Sequence, residues 1–246
     1  MSAPRVRPYA PSDEAAVRAI FRATVALGRP LPFPLGHMPA YERLCMDWFL
    51  GPGAADAGVL DADGRVLGYV LVCTDLVALR RWSVRVGAGW TLATAARLVT
   101  RRLRGAEARF HLLRLRDGWA AFRHAPPAPM PGYVHLNLDP AARAGLAGLL
   151  LARYADGRCR RARLPGWYAE MNAKRGTRAT ALASGGLVTV HQQPNATLSW
   201  LAGRPVERLT IVRTLGAEAP AAATLSFRPA RGAPARAVRR APGAAG

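Results

Sequence analysis

The chain has 246 residues, 50% of them hydrophobic and 20% charged, with 35 Lys and Arg against 15 Asp and Glu for a formal net charge of +20. A chain of that length buries roughly 70% of its unfolded surface without disulfide or metal staples. Its ordinary apolar content excludes wholesale disorder in spite of the charge.

Lys174 is the single lysine, so 34 of the cations are arginines. Such uniform use of Arg reads as a codon bias towards G and C, acting wherever a position needs only a cation. A dedicated nucleic-acid surface is the alternative. Cys45, Cys73 and Cys159 are odd in number, widely spaced and lack a CxxC pair, which points to buried thiols and not to a disulfide framework. No metal site is expected. The first twenty residues hold no apolar leader, and the apolar stretches Val86–Ala96 and Ala144–Ala152 fall short of the roughly 20 residues a spanning helix needs. A soluble cytoplasmic protein is expected.

In chain order, Val6–Tyr9 reads as a short strand. Ser12 offers an N-cap to a helix running to about Thr24, with Asp13 and Glu14 in its first turn. Pro30, Pro32 and Pro34 force an extended loop between Gly28 and Gly36. A second helix spans about Ala40–Phe49. Gly58–Leu60, the turn Asp61–Gly64 and Val66–Cys73 form the clearest hairpin signal, and the nearly all-apolar second strand reads as central. From Leu76 to His124 the pattern is helical and arginine-rich, with Leu92, Ala95, Ala96, Val99 and Leu103 on one face. A half-buried helix of the domain is the plain reading; a basic helix lying on a membrane or RNA is the other.

Four prolines between Ala125 and Pro131 mark a linker. Tyr133–Leu138 reads as a strand, Pro140 onwards as a loop entering a helix to about Tyr154, and Trp167–Met171 as a strand. Arg178–Ala183 is a short helix closed by Gly185-Gly186, and Leu187–His191 a further strand. Thr197–Leu201, the turn Ala202–Arg204 and Val206–Val212 close the core as a hairpin. After Leu215 the composition shifts to Ala, Pro and Arg, which reads as a flexible tail over 216–246. The order of elements implies an α/β fold built on a mixed sheet with helices on its faces.

The segment Tyr133–Asp156 carries the chemistry. A strand ends at Leu138, a small-residue loop holds Gly145, Ala147 and Gly148, and an apolar helix begins within it. Small residues admit a ligand to the backbone, and free N–H groups at a helix N-terminus bind phosphate or pyrophosphate. Close helix packing is the alternative use of the same glycines. The segment is neither a Walker A loop nor a dinucleotide fingerprint.

With the opening "VRPYAPSDEAAVRAIFRAT", the "VLDADGRVLGYVLVCTD" hairpin, "YVHLNLDP" and "WYAEMNA", this segment resembles the GNAT superfamily of acetyl-coenzyme A-dependent N-acyltransferases over about Arg5–Leu215. The helical region 76–131 then reads as an insertion between the third and fourth strands, similar to the bacterial branch related to the acetyltransferase-like domain of O-GlcNAcase-type proteins. Residues 1–215 form one domain on this reading. The family loop is Q/R-x-x-G-x-G/A; Gly145, Leu146 and Ala147 match its last positions, while the leading Gln/Arg falls on Ala142 with Arg143 one place late. The resemblance implies that Leu138, Arg143, Ala144, Gly145, Leu146, Ala147 and Gly148 hold the pyrophosphate of acetyl-CoA, and that Asn172 matches a recurrent asparagine of the cofactor side. The tyrosine that often protonates the departing thiolate in this superfamily is replaced by Ala181 or Leu182.

The reaction so implied is direct attack of a neutral amine on a thioester, at a splay between the fourth and fifth strands. His135, with Asn137 and Tyr133, shares one face of the fourth strand, and Glu170 lies near the end of the fifth. These two are the candidate bases. Asp75 either binds a cationic amine or caps the next helix. The expected partner is a small-molecule or peptide amine, with no membrane and no nucleic acid. A catalytically silent acyl-CoA-binding module and a nucleic-acid-binding protein are the competing functions.

Overall fold

The computed structural model describes residues 3–124, 130–143, 146–174 and 185–216. Strands β1 (Arg5–Pro8), β2 (Gly58–Ala62), β3 (Arg65–Cys73), β4 (Gly132–Leu138), β5 (Gly166–Lys174), β6 (Val188–Pro194) and β7 (Val206–Thr214) form one mixed sheet. Their order is β1-β2-β3-β4-β5-β7-β6. Only β4 and β5 run parallel, as the helix between them requires. Helices α1 (Glu14–Thr24) and α2 (Met38–Leu50) cover one face, and α5 (Ala147–Arg161) covers the other.

Period-2 alternation divides the apolar residues of the strands between two cores. Val59, Tyr69 and Leu71 pack with Val17, Phe21, Tyr41 and Phe49 beneath α1 and α2. Leu60, Val70, Val72, Val134 and Trp167 pack with Leu151 and Cys159 beneath α5. β3 supplies both cores, which is why its sequence is apolar nearly throughout. Each fully buried side chain of this size contributes about 1.5–3 kcal/mol before entropy is counted. The hairpin turns on Asp63 and Gly64, at φ 51° and 79°, the pair of left-handed residues that a two-residue turn matched to strand twist demands.

Several elements differ from the sequence reading. Ser12 caps nothing; it lies within a short 3-10 turn, Pro11–Asp13. Asp13 instead accepts from the Ala10 N–H at 2.9 Å and pairs with both terminal nitrogens of Arg7. α5 runs on to Arg161, its last turn carrying Arg158, Arg160 and Arg161 against the negative end of the helix dipole. Thr197–Leu201 is not a strand but most of α6 (Ala196–Ala202).

Capping overrides β-propensity in α6. The Asn195 side chain accepts from the Leu198 N–H, and the buried Asp117 carboxylate accepts from the N–H groups of Ala196 and Thr197 and from the Thr197 hydroxyl. Gly203, at φ 63°, ends the helix.

Between β3 and β4 lie α3 (Leu76–Val99) and α4 (Gly105–His124). Asp75 caps α3 by accepting from the Ala78 N–H at 3.0 Å. The predicted apolar face of α3 is not its packed face. Trp90 and Thr94 are buried, whereas Leu92 and Val99 are 72% and 82% exposed. Leu103 is buried, but beyond the helix, which stops at Val99 before Arg101 turns the chain at φ 55°. The predicted helix Arg178–Ala183 and all but the start of the predicted tail lie outside the described residues.

Candidate active site

The parallel strands β4 and β5 pair over only three rungs: Gly132 with Trp167, Tyr133 with Tyr168 and Val134 with Ala169. Beyond Val134, β4 stays with β3 as far as Leu138, while β5 stays with β7 as far as Lys174. The two strands therefore part into a V. Its vertex is held shut by two glycines: a Cβ on Gly132 would lie 2.9 Å from the Gly166 carbonyl oxygen, and one on Gly166 would lie 2.3 Å from that of Arg213. Below the vertex, Asp156 of α5 accepts from Trp167 Nε1 at 2.8 Å and from Arg213 Nε at 2.9 Å, which pins helix and strands together.

A cavity of about 1080 Å³ fills the V and opens towards both faces of the sheet. That exceeds the roughly 300–1,000 Å³ of an ordinary small-molecule site. On the α5 face it reaches Arg143, Gly148 and Ala152. The start of α5 has the properties of an anion cradle: no side chain caps Leu146, the first turn contains no acid, and a Cβ built on Gly148 would meet nothing within 4 Å. The N–H groups of Ala147 and Gly148 have no partner among the described residues, and such groups at the positive end of a helix dipole can take an oxygen ligand.

Arg143 is differently engaged, since its guanidinium donates to the Gly28 carbonyl oxygen at 2.8 Å and ties the cradle to the loop after α1. Leu138 closes β4 against Gly68. Ala144 and Gly145 lie outside the described residues.

The opposite face gathers both candidate bases. Tyr133 and Tyr168 are paired, so the next residues on the same face, His135 and Glu170, stand level across the open V. His135 packs edge-on to Tyr69, and its Nε2 lies 3.4 Å from the Asn137 amide, which donates to the Tyr69 hydroxyl. Burial pushes its pKa down to about 4, so the imidazole is neutral at physiological pH. Glu170 lies 3.7 Å from Arg208 of β7. Asn172 follows on the same face and accepts from Asn195, at the start of α6.

The wall on this face was invisible in the sequence. It is lined by Tyr41 and Trp48 of α2, Arg80 and Trp82 of α3, Arg114 of α4, and Tyr133 and Tyr168. Tyr133 and Tyr168 meet as tilted rings with centroids 5.0 Å apart, and Trp48 and Trp82 likewise at 6.1 Å. Burial raises the phenol of Tyr133 well above its usual pKa and keeps it protonated. The signal that was present, Tyr41 and Trp48 at helical spacing, reads equally well as core. Among the described residues no cluster of His, Cys, Asp and Glu is arranged to hold a metal ion, and no helix is long and apolar enough to cross a membrane.

No protein-family model and no curated protein matches the chain. Its fold does match solved structures. The structure of SsHAT is 21% identical at a TM-score of 0.58, covering 87% of this chain and 100% of that one. A Drosophila melanogaster polyamine N-acetyltransferase that forms N-acetylagmatine is 15% identical at a TM-score of 0.52, again over 87% and 100% of the two chains. The apo form of an agmatine N-acetyltransferase mutant is 15% identical at 0.51, with the same coverage. The molecule is an α/β protein with the GNAT acyl-CoA N-acyltransferase fold. The expected fold class, the parting of the fourth and fifth strands and a helix after the fourth strand are present.

Proposed function

We propose that the chain is an N-acetyltransferase that moves an acetyl group from acetyl-CoA to a primary amine by direct attack. The observation that carries this reading is the V between β4 and β5, with the uncapped start of α5 on one side and Glu170 level with His135 on the other. Acetyl-CoA, when bound, supplies an activated acyl carbon and a thiolate leaving group. The free backbone edges of β4 and β5 beyond Val134 and Ala169 supply N–H donors for a carbonyl oxygen gaining charge, an arrangement that needs no reorganisation during the reaction.

The α5 amides and the small residues Ala147 and Gly148 hold the pyrophosphate. Asn172, on the Glu170 face, serves the cofactor side indirectly by fixing, through Asn195, the end of β5. Glu170 is the general base that takes the proton from the attacking amine, with Arg208 orienting its carboxylate. His135, neutral and level with it, is the second candidate base. The amine nitrogen bonds to the acyl carbon, the C–S bond breaks, and the thiolate takes a proton from water, because Ala181 and Leu182 offer no acid.

We place residues 1–215 in one domain, with α3 and α4 as its insertion and 216–246 as a basic tail. The insertion is what suggests the bacterial branch near the O-GlcNAcase-type domains. A soluble, cytoplasmic setting fits the thiols of Cys45, Cys73 and Cys159, all free.

Two measurements in sequence test the proposal. Titrating acetyl-CoA and CoA should raise the melting temperature in proportion to RT ln(1 + [L]/Kd). Free-thiol release from acetyl-CoA should then depend on added amine. An unchanged melting temperature at millimolar CoA overturns the reading. CoA binding without amine-dependent thiol release would favour the silent module.

A further inference from the structure

The acceptor wall of the cavity is charged in the sense opposite to a polyamine site. Three arginines line it, Arg80, Arg114 and Arg208, against one carboxylate, Glu170, which already faces Arg208 at 3.7 Å. Arg80 and Arg114 have no carboxylate within 4.0 Å and no hydrogen bond among the described residues. The segments outside the described residues contain a single acid in sequence, Glu218, and none falls between Glu170 and Glu207.

Arg114 is the more telling of the two. It projects from α4 over the face of Tyr41, 5.6 Å from the ring centroid, in the deep part of the wall. Its charge is supported through space by Tyr41 and, more weakly, by Asp117 and Glu170, neither carboxylate being within ion-pair distance, and its planar fork fits a carboxylate in two hydrogen bonds. The rest of the wall is largely aromatic: Trp48, Trp82, Tyr133 and Tyr168, in two tilted ring pairs, line the same cavity as Arg114. A polycation placed here would meet three positive charges, whereas an aromatic body would stack and bury its surface.

We infer that the acceptor is an amine that also carries a carboxylate and an aromatic or large apolar body, an aromatic amino acid being the simplest form, with Arg114 gripping the carboxylate while the amine points at Glu170. The inference rests on the acetyltransferase reading and specifies its substrate class. The selectivity then comes from the inserted helices α3 and α4, which furnish Arg80, Trp82 and Arg114, and not from the elements that bind the acyl donor.

The test compares L-phenylalanine, phenethylamine and agmatine as acceptors with acetyl-CoA as donor. L-Phenylalanine should exceed both others at least tenfold in kcat/KM. Arg114→Gln should raise its KM about tenfold while leaving phenethylamine within twofold, and Arg114→Lys should keep part of the preference. A CoA-induced rise in melting temperature certifies that each variant is folded. Equal or better use of agmatine or phenethylamine by the wild type overturns the inference and leaves the acetyltransferase reading standing, as does an Arg114→Gln effect of equal size on all three.

Calorimetric binding of L-phenylalanine needs no turnover and so separates the two failures. Binding lost in Arg114→Gln supports the carboxylate site even without acyl transfer; absence of binding to the wild type overturns it.

Discussion

The two sides of the V are built on different principles. The α5 side is made of backbone: amides at a helix start with no side-chain cap, and small side chains that stay out of the way. The α1/α2 side is made of side chains, drawn from six elements and joined by aromatic contacts and by arginines. A backbone site is encoded locally, in a few consecutive residues, and tolerates change in everything except bulk and charge. A side-chain site is encoded by the topology that assembles it. On the proposed reading the first binds the acyl donor, and the second decides which amine is accepted.

Four substitutions or conditions probe that division. Glu170→Gln strikes the point where the two sides meet; it should lower kcat/KM by roughly 10²–10⁴ with little change in CoA affinity, as loss of a general base does. Turnover unchanged in this variant would shift the role to His135. Asp156→Ala removes a carboxylate only 3% exposed that holds Trp167 and Arg213, and leaves both donors stranded. Unfolding in urea should show a loss of about 3–5 kcal/mol; a loss below 1 kcal/mol would mean that the vertex of the V does not depend on α5.

Gly148→Asp sharpens the comparison more finely. Open space surrounds the new side chain, and a carboxylate in the first turn of α5 favours the dipole by about 0.3–1 kcal/mol, so the free protein should keep or gain stability. The same charge should cut CoA affinity at least tenfold by calorimetry while L-phenylalanine binding is unaffected. Loss of both would show that the two sides are not separable.

The smallest effect concerns pH. His135 titrates at about 4 in the folded protein against 6.5 unfolded, so its contribution to stability is complete above pH 6.5 and is lost as pH falls towards 4. Burial lowers the pKa of His111 and His37 in the same direction. Asp13, held below its ordinary value by Arg7, adds its loss only in more acidic solution. Melting temperature should therefore fall between pH 6.5 and 4, and less steeply in His135→Gln; an identical slope would place the titration elsewhere.

What the sequence revealed follows the same division. The hairpin was legible because Asp63-Gly64 and the alternation around it are local signals. The start of α5 was legible because small residues before an apolar helix are a local signal too. His135 and Glu170 were placed on their strands by periodicity, and the three-rung pairing that brings them level was inferred only through the fold.

Arg114, Trp82 and Arg208 escaped because nothing in a basic helix or an edge-distant strand says which of many arginines turns inward. α6 escaped for a related reason: Asp117, 79 residues away, supplies half of its N-terminal cap. The apolar face assigned to α3 failed because helical periodicity gives a stripe without saying which stripe meets the body of the protein; Trp90 and Thr94 do, and Leu92 does not.

The central claim is that an acyl-CoA donor lies in the V with its pyrophosphate on the start of α5. Titration calorimetry of acetyl-CoA into the wild type and Gly148→Asp tests it most directly. One acetyl-CoA per chain, weakened at least tenfold in the variant, is the result predicted. No heat of binding to a folded wild type, or equal affinity in the two proteins, would contradict it.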